Sequence, residues 1–82
     1  MLQVKFSKEA KKYVSKLDSI SKLRLRKAFE KLSAEPPQGD IKPMQGQDNI
    51  YRLRVGDLRA LFTIDNELIL VTKIAPRGEV YK

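Results

Sequence analysis

The chain has no cysteine and no histidine. Without cysteine there is no disulfide and no thiolate metal site, and nothing directs the protein to an oxidising compartment. Without histidine the commonest general base and the commonest metal ligand are missing. Any catalysis must therefore use Tyr, Lys, Arg, Asp or Glu. No apolar run approaches the roughly 20 residues that a membrane span needs. The opening Met1-Leu2-Gln3-Val4-Lys5-Phe6 lacks the long apolar region of a signal peptide. A soluble, cytoplasmic protein with no membrane partner is the expectation. No internal repeat, low-complexity tract or linker divides the sequence, so the 82 residues are read as one small domain, residues 1–82. A chain this short builds only a modest core, which favours a stabilising partner.

Positive charge is abundant. Seventeen Lys and Arg stand against ten Asp and Glu, a formal charge of +7. On so small a body that raises the surface potential and attracts polyanions. Solubility alone is the bland explanation; nucleic acid or an acidic protein partner is preferred to it. The kind of charge changes along the chain: eight Lys and two Arg up to Ile41, then three Lys and four Arg. Arginine is the better residue for bidentate phosphate contact, so the second half reads as the working half.

Leu2, Val4 and Phe6 alternate with Gln3 and Lys5, a short strand with one buried face. Ser7 follows as a helix N-cap, and Ala10, Tyr13, Val14 and Leu17 keep the spacing of an amphipathic helix. Lys8, Lys11, Lys12 and Lys16 take its solvent side. Asp18-Ser19-Ile20-Ser21 breaks the pattern and offers a new cap. A second helix is expected from about Ile20 to Ala34, with Leu25, Ala28, Phe29 and Leu32 as its core stripe and Leu23 flanking it. Pro36-Pro37 ends it. Pro36 to Asn49 reads as a loop, with Ile41-Lys42-Pro43-Met44 as an extended segment. From Ile50 onward three runs rich in β-branched and large apolar residues are separated by turn signals at Gly56-Asp57 and Asp65-Asn66, an antiparallel meander. The expected fold is α+β: an N-terminal strand, an α-helical hairpin, then a β-meander with the helices packed on one sheet face.

In the first run of the meander Tyr51, Leu53 and Val55 point one way and Arg52 and Arg54 the other. If Leu58, Ala60, Phe62 and Ile64 face the helices, Arg59 faces away, toward the side of Arg52 and Arg54, and is expected to be exposed. Three like charges on neighbouring strands repel unless an anion or acidic partner compensates them. Pairing with Asp57, Glu67 or Glu79 is the alternative; the anion site is preferred because few acids interrupt that face. In Pro76-Arg77-Gly78-Glu79-Val80-Tyr81 the proline stops the preceding strand and the glycine permits a bend. That bend could carry Arg77 and Tyr81 back across the sheet. Tyr81 could equally plug the core edge, and spacing leaves both open. The lysines and arginines of the two helices, taken singly, are what a solvated helix pair normally shows.

The stretch Tyr51-Arg52-Leu53-Arg54-Val55-Gly56-Asp57-Leu58-Arg59-Ala60-Leu61-Phe62, with the terminal Ile74-Ala75-Pro76-Arg77-Gly78-Glu79-Val80-Tyr81, resembles the RelE branch of the RelE/ParE toxin superfamily. The resemblance covers essentially the whole chain. It implies the toxin of a type II toxin–antitoxin system, an mRNA endonuclease that enters the ribosomal A site and inhibits translation. Its implied partners are the ribosome, mRNA and a cognate acidic antitoxin. The family's chemistry needs no cofactor and no metal: a ribose 2′-hydroxyl attacks the adjoining phosphate, leaving a 2′,3′-cyclic phosphate and a 5′-hydroxyl. Carried onto this sequence, Tyr81 would be the base. Arg52 and Arg54 would supply the cationic field and RNA contact. Arg59 would hold the scissile phosphate, and Arg77 would stabilise the transition state or the departing oxygen. Lys42 would add a contact to the RNA backbone. Two rivals remain: a ParE-like, non-enzymatic inhibitor of DNA gyrase, and a basic RNA-binding module without activity.

Overall fold

The computed structural model describes residues 2–34, 36–44, 46 and 49–76. The element order is β1 (Gln3–Phe6), α1 (Lys8–Ser15), α2 (Ser19–Leu32), β2 (Asp40–Pro43), β3 (Ile50–Val55), β4 (Leu58–Asp65) and β5 (Leu68–Pro76). This is the α+β arrangement expected. No helix among the described residues is long and apolar enough to cross a membrane.

Both helices start where a short oxygen-bearing side chain can take up a free backbone N–H. Ser7 Oγ accepts from Ala10 N at 3.1 Å and opens α1. The same oxygen donates to the Thr72 carbonyl at 2.9 Å, so the cap also ties α1 to β5. Asp18 Oδ2 accepts from Ser21 N at 3.3 Å and opens α2. Hydrogen bonding from the Ser21 side chain, with its backbone N–H second, holds the Asp18 carboxyl below the usual carboxylate range. α2 ends at Leu32, short of the expected Ala34, and Ser33 closes it through its own N–H on Phe29 O.

The five strands lie in the order β1-β5-β4-β3-β2. β2 to β5 pair antiparallel in sequence, and β1 pairs parallel with β5, Gln3 opposite Leu68 and Phe6 opposite Val71. The β3–β4 turn carries Gly56 at φ 59°, and the β4–β5 turn carries Asn66 at φ 56°. These are left-handed positions that glycine and asparagine adopt at least cost. A bulge lies at Leu61/Phe62: Leu61 opposes Lys73 and Phe62 opposes Val71, leaving Thr72 as the extra residue. β5 continues through Pro76, beyond the Ile74 at which the meander's last run was expected to stop. A proline is tolerated there because it falls at the end of the ladder, where a missing N–H breaks no interior bond.

The core lies between the helices and one sheet face. Ala10, Leu25, Phe29 and Leu32 meet Leu53, Ala60, Phe62, Ile69, Val71 and Ile74, all buried. Phe6 and Phe29 pack edge to face at 5.0 Å, and Tyr51 stacks on Phe62 at 5.6 Å. Each such pair adds about 0.5–1.5 kcal/mol beyond the area it buries. Leu23 does not flank this core. It is 51 % exposed, and Ile20 is 63 % exposed. Leu23 stands two positions from Leu25, about 200° round the helix, so the residue that faces the sheet turns Leu23 away from it.

Candidate functional site

Residues directly opposed in an antiparallel pair share a face. Lys42 opposes Arg52, Arg54 opposes Arg59, and Arg52 opposes Leu61. Leu53, Ala60 and Phe62, at the alternate positions, form the core. The register therefore gathers Lys42, Arg52, Arg54 and Arg59 on the face turned away from the helices. Lys73, opposite Leu61, belongs to the same face. It escaped the sequence reading because its side depends on the bulge, which no residue type announces.

The four expected cations differ in accessibility. Lys42 and Arg54 are exposed. The Arg52 side chain is only 17 % exposed, and its Nη2 lies 3.6 Å from Asp40 Oδ1. Its Nε is buried without a hydrogen-bond partner. Arg59 is not exposed, as alternation implied; it is 4 % exposed. Its Nη1 donates to the carbonyls of Gly56 at 3.3 Å and Leu58 at 3.2 Å. Alternation fixes the side of a strand residue but not what lies over that side. A buried guanidinium is costly unless its donors are satisfied, and these two carbonyls offset part of that cost. Among the described residues, Asp40 is an acid that joins the cationic face; it opposes Arg54 in the register and pairs with Arg52. Neither Asp57 nor Glu67, weighed as partners from the sequence, makes that ion pair. Glu79, Arg77 and Tyr81 lie outside the described residues.

This arrangement can bind an anion extended across several strands. Arg54 and Lys42 offer accessible charge, while Arg52 and Arg59 hold charge beneath the surface, where it is less screened by solvent. Among the described residues no group of three or more acids, histidines or cysteines is placed to hold a metal ion.

The chain belongs to the family of ParE toxins of type II toxin–antitoxin systems: the model of that family, the ParE toxin of parDE, matches residues 4–81. Within the wider RelE/ParE superfamily it is a RelE-type toxin. It is 31 % identical over 64 residues to the candidate toxin RelE1 of Methanocaldococcus jannaschii, covering 72 % of this chain and 71 % of that protein. Its fold superposes on RelE of the archaeal RelE–RelB complex from Pyrococcus horikoshii with a TM-score of 0.80. The identity there is 26 %, over 95 % of this chain and 97 % of that one. The isolated E. coli RelE toxin shares the fold with a TM-score of 0.78, at 23 % identity, over 99 % and 92 % of the two chains.

Proposed function

We propose that this toxin is an mRNA interferase that cuts messenger RNA on the ribosome and so stops translation. The observation that carries the reading is the register that opposes Lys42 to Arg52 and Arg54 to Arg59 on the sheet face opposite α1 and α2. The likeness to the RelE1 toxin supports it.

In this reading the RNA backbone lies across β2, β3 and β4. Tyr81 removes the proton from a ribose 2′-hydroxyl. The 2′-oxygen bonds to the adjoining phosphorus, the bond from phosphorus to the 5′-oxygen breaks, and that oxygen leaves with a proton. The products are a 2′,3′-cyclic phosphate and a 5′-hydroxyl. A free tyrosine titrates near 10, about three units above neutrality, so Tyr81 needs cations close by to stabilise its phenolate. Arg52 and Arg54 supply them. Arg59 stabilises charge developing on the phosphate, and Arg77 serves the leaving oxygen. Since Arg59 is almost fully covered, contact with the phosphate requires that cover to shift when RNA binds. The chain is held inactive by a cognate acidic antitoxin, as the Pyrococcus RelE is found with RelB.

The test is to add the purified chain to ribosomes stalled on a defined message and map new 5′-hydroxyl ends by ligation and primer extension. Cuts confined to A-site codons are expected. Tyr81→Phe should slow them by about 10²–10⁴, the usual worth of a positioned base. Absence of cuts from the unaltered chain would overturn the reading. A second reading, inhibition of DNA gyrase, is favoured by one observation: the matching family model is that of ParE. Loss of supercoiling in a gyrase assay, with message left intact, would establish it instead.

A further inference from the structure

A second cationic surface lies outside the site just described. A cleft of about 430 Å³ runs between α2 and the end of β3. That is the size of a small-ligand site, typically about 300–1,000 Å³. One wall is the row Arg24, Lys27 and Lys31 on α2, and Arg54 lines the cleft with them. The floor is apolar, formed by Ala28, Leu53 and Val55. Among the lining residues Asp40 is the one acid, and it already pairs with Arg52.

A row of cations on a helix is ordinarily a solvated face. Here two features set it apart. The row follows a concave wall, so its field is focused rather than spread into bulk water. It also reaches the candidate site physically. A Cβ placed on Gly56 would lie 3.9 Å from Arg24 Nη1, and the Gly56 carbonyl accepts from Arg59 Nη1 at 3.3 Å. Arg24 and Arg59 therefore flank one turn. Arg54 adjoins both surfaces: the register sets it opposite Arg59 on the face turned away from the helices, and it is among the residues around the cleft.

We infer that the cleft between α2 and β3 is an RNA-backbone track. Single-stranded RNA leaving the sheet face continues into it, with phosphates held by Arg24, Lys27 and Lys31. The inference rests on the ribonuclease reading and adds positioning residues to it. These residues touch the strand away from the scissile phosphate, so they act on binding and register rather than on the chemical step. An apolar floor beneath cations suits a nucleotide, whose base and sugar need a dry surface and whose phosphate needs charge.

The test measures binding of a fluorescein-labelled oligouridine by anisotropy over a series of potassium chloride concentrations. Three proteins are compared: the unaltered chain, Lys27→Glu with Lys31→Glu, and Lys8→Glu with Lys12→Glu. All four lysines are exposed, and the last two lie on α1, over the other end of the sheet. Both variants change the net charge equally. The cleft variant should lose at least about tenfold in affinity, and its log–log salt slope should fall by about 1.4, two contacts at roughly 0.7 each. The α1 variant should lose far less and keep its slope. Equal losses would show that net charge alone is at work and overturn the track. Unchanged binding in the cleft variant would overturn it too, and if that variant instead lost binding to polyglutamate, the cleft would be assigned to an acidic protein. A-site cleavage is followed in parallel. Cleavage that persists while the cleft variant binds RNA normally removes the track alone. Failure of the unaltered chain both to bind and to cut RNA removes the ribonuclease reading and the track together.

Discussion

Ser7, directly after β1, joins two elements through one hydroxyl. It accepts from Ala10 N at the start of α1 and donates to the Thr72 carbonyl of β5. Its role as a cap was legible from the sequence; its bond to β5 was not, since Thr72 is brought there by pairing across 65 residues. Ser7→Ala should cost about 1–3 kcal/mol, a lost cap plus a carbonyl left without its donor. Urea unfolding of the two proteins measures it, and an unchanged midpoint would remove Ser7 from this role. Arg59 teaches the converse. Its side of the strand followed from alternation with Leu58 and Ala60, but its burial followed from tertiary cover that alternation does not encode. Arg59→Ala therefore probes stability and function together, whereas a substitution at the exposed Arg54 probes function with little change to packing. The ion pair of Arg52 was likewise invisible, because Asp40 reaches it only once β2 has paired with β3.

The elements themselves were the most legible part. The meander was bounded closely, because its turns carry residues suited to left-handed backbone and its strands carry β-branched and aromatic runs. The helix starts were also readable from Ser7 and Asp18. The misjudged Leu23 shows where helical periodicity fails: α2 bears apolar residues outside its core stripe, so hydrophobicity alone does not choose the buried side. The Asp18 cap makes a prediction with a definite sign. Hydrogen bonding from Ser21 lowers the folded carboxyl below its ordinary 3.8. The cap's contribution is thus fully present above that ordinary value and is lost as pH falls through the lower, folded one. Acidification below about pH 4 should weaken α2 in the native chain. Asp18→Asn, which caps about as well without ionising, should remove that component. Circular dichroism of the two proteins along an acid titration checks it, and identical curves would exclude the Asp18 contribution.

At the scale of the whole molecule the core is small and each large side chain matters. Typical stabilities of about 0.05–0.15 kcal/mol per residue put an 82-residue chain near 4–12 kcal/mol in all. Phe62 is fully buried, stacks on Tyr51 and sits beside the bulge. Phe62→Ala should cost about 3–5 kcal/mol, a large share of that total, and should leave much of the chain unfolded at moderate temperature. Thermal melts read the loss directly, and a shift of only a degree or two would show that the core collapses around the gap.

The parallel pairing of β1 with β5 has a consequence for how the protein is born. β1 is translated before either helix, yet the edge it must join, from Leu68 to Val71, is made only after both helices and three further strands. Loop closure over that span is slow compared with forming α1 or α2 locally. A growing copy therefore carries its helices without a finished sheet, and the opposition of Arg54 to Arg59 must wait for β4. Until β4 has emerged, the ribosome that makes this protein carries a nascent chain with no arginine face.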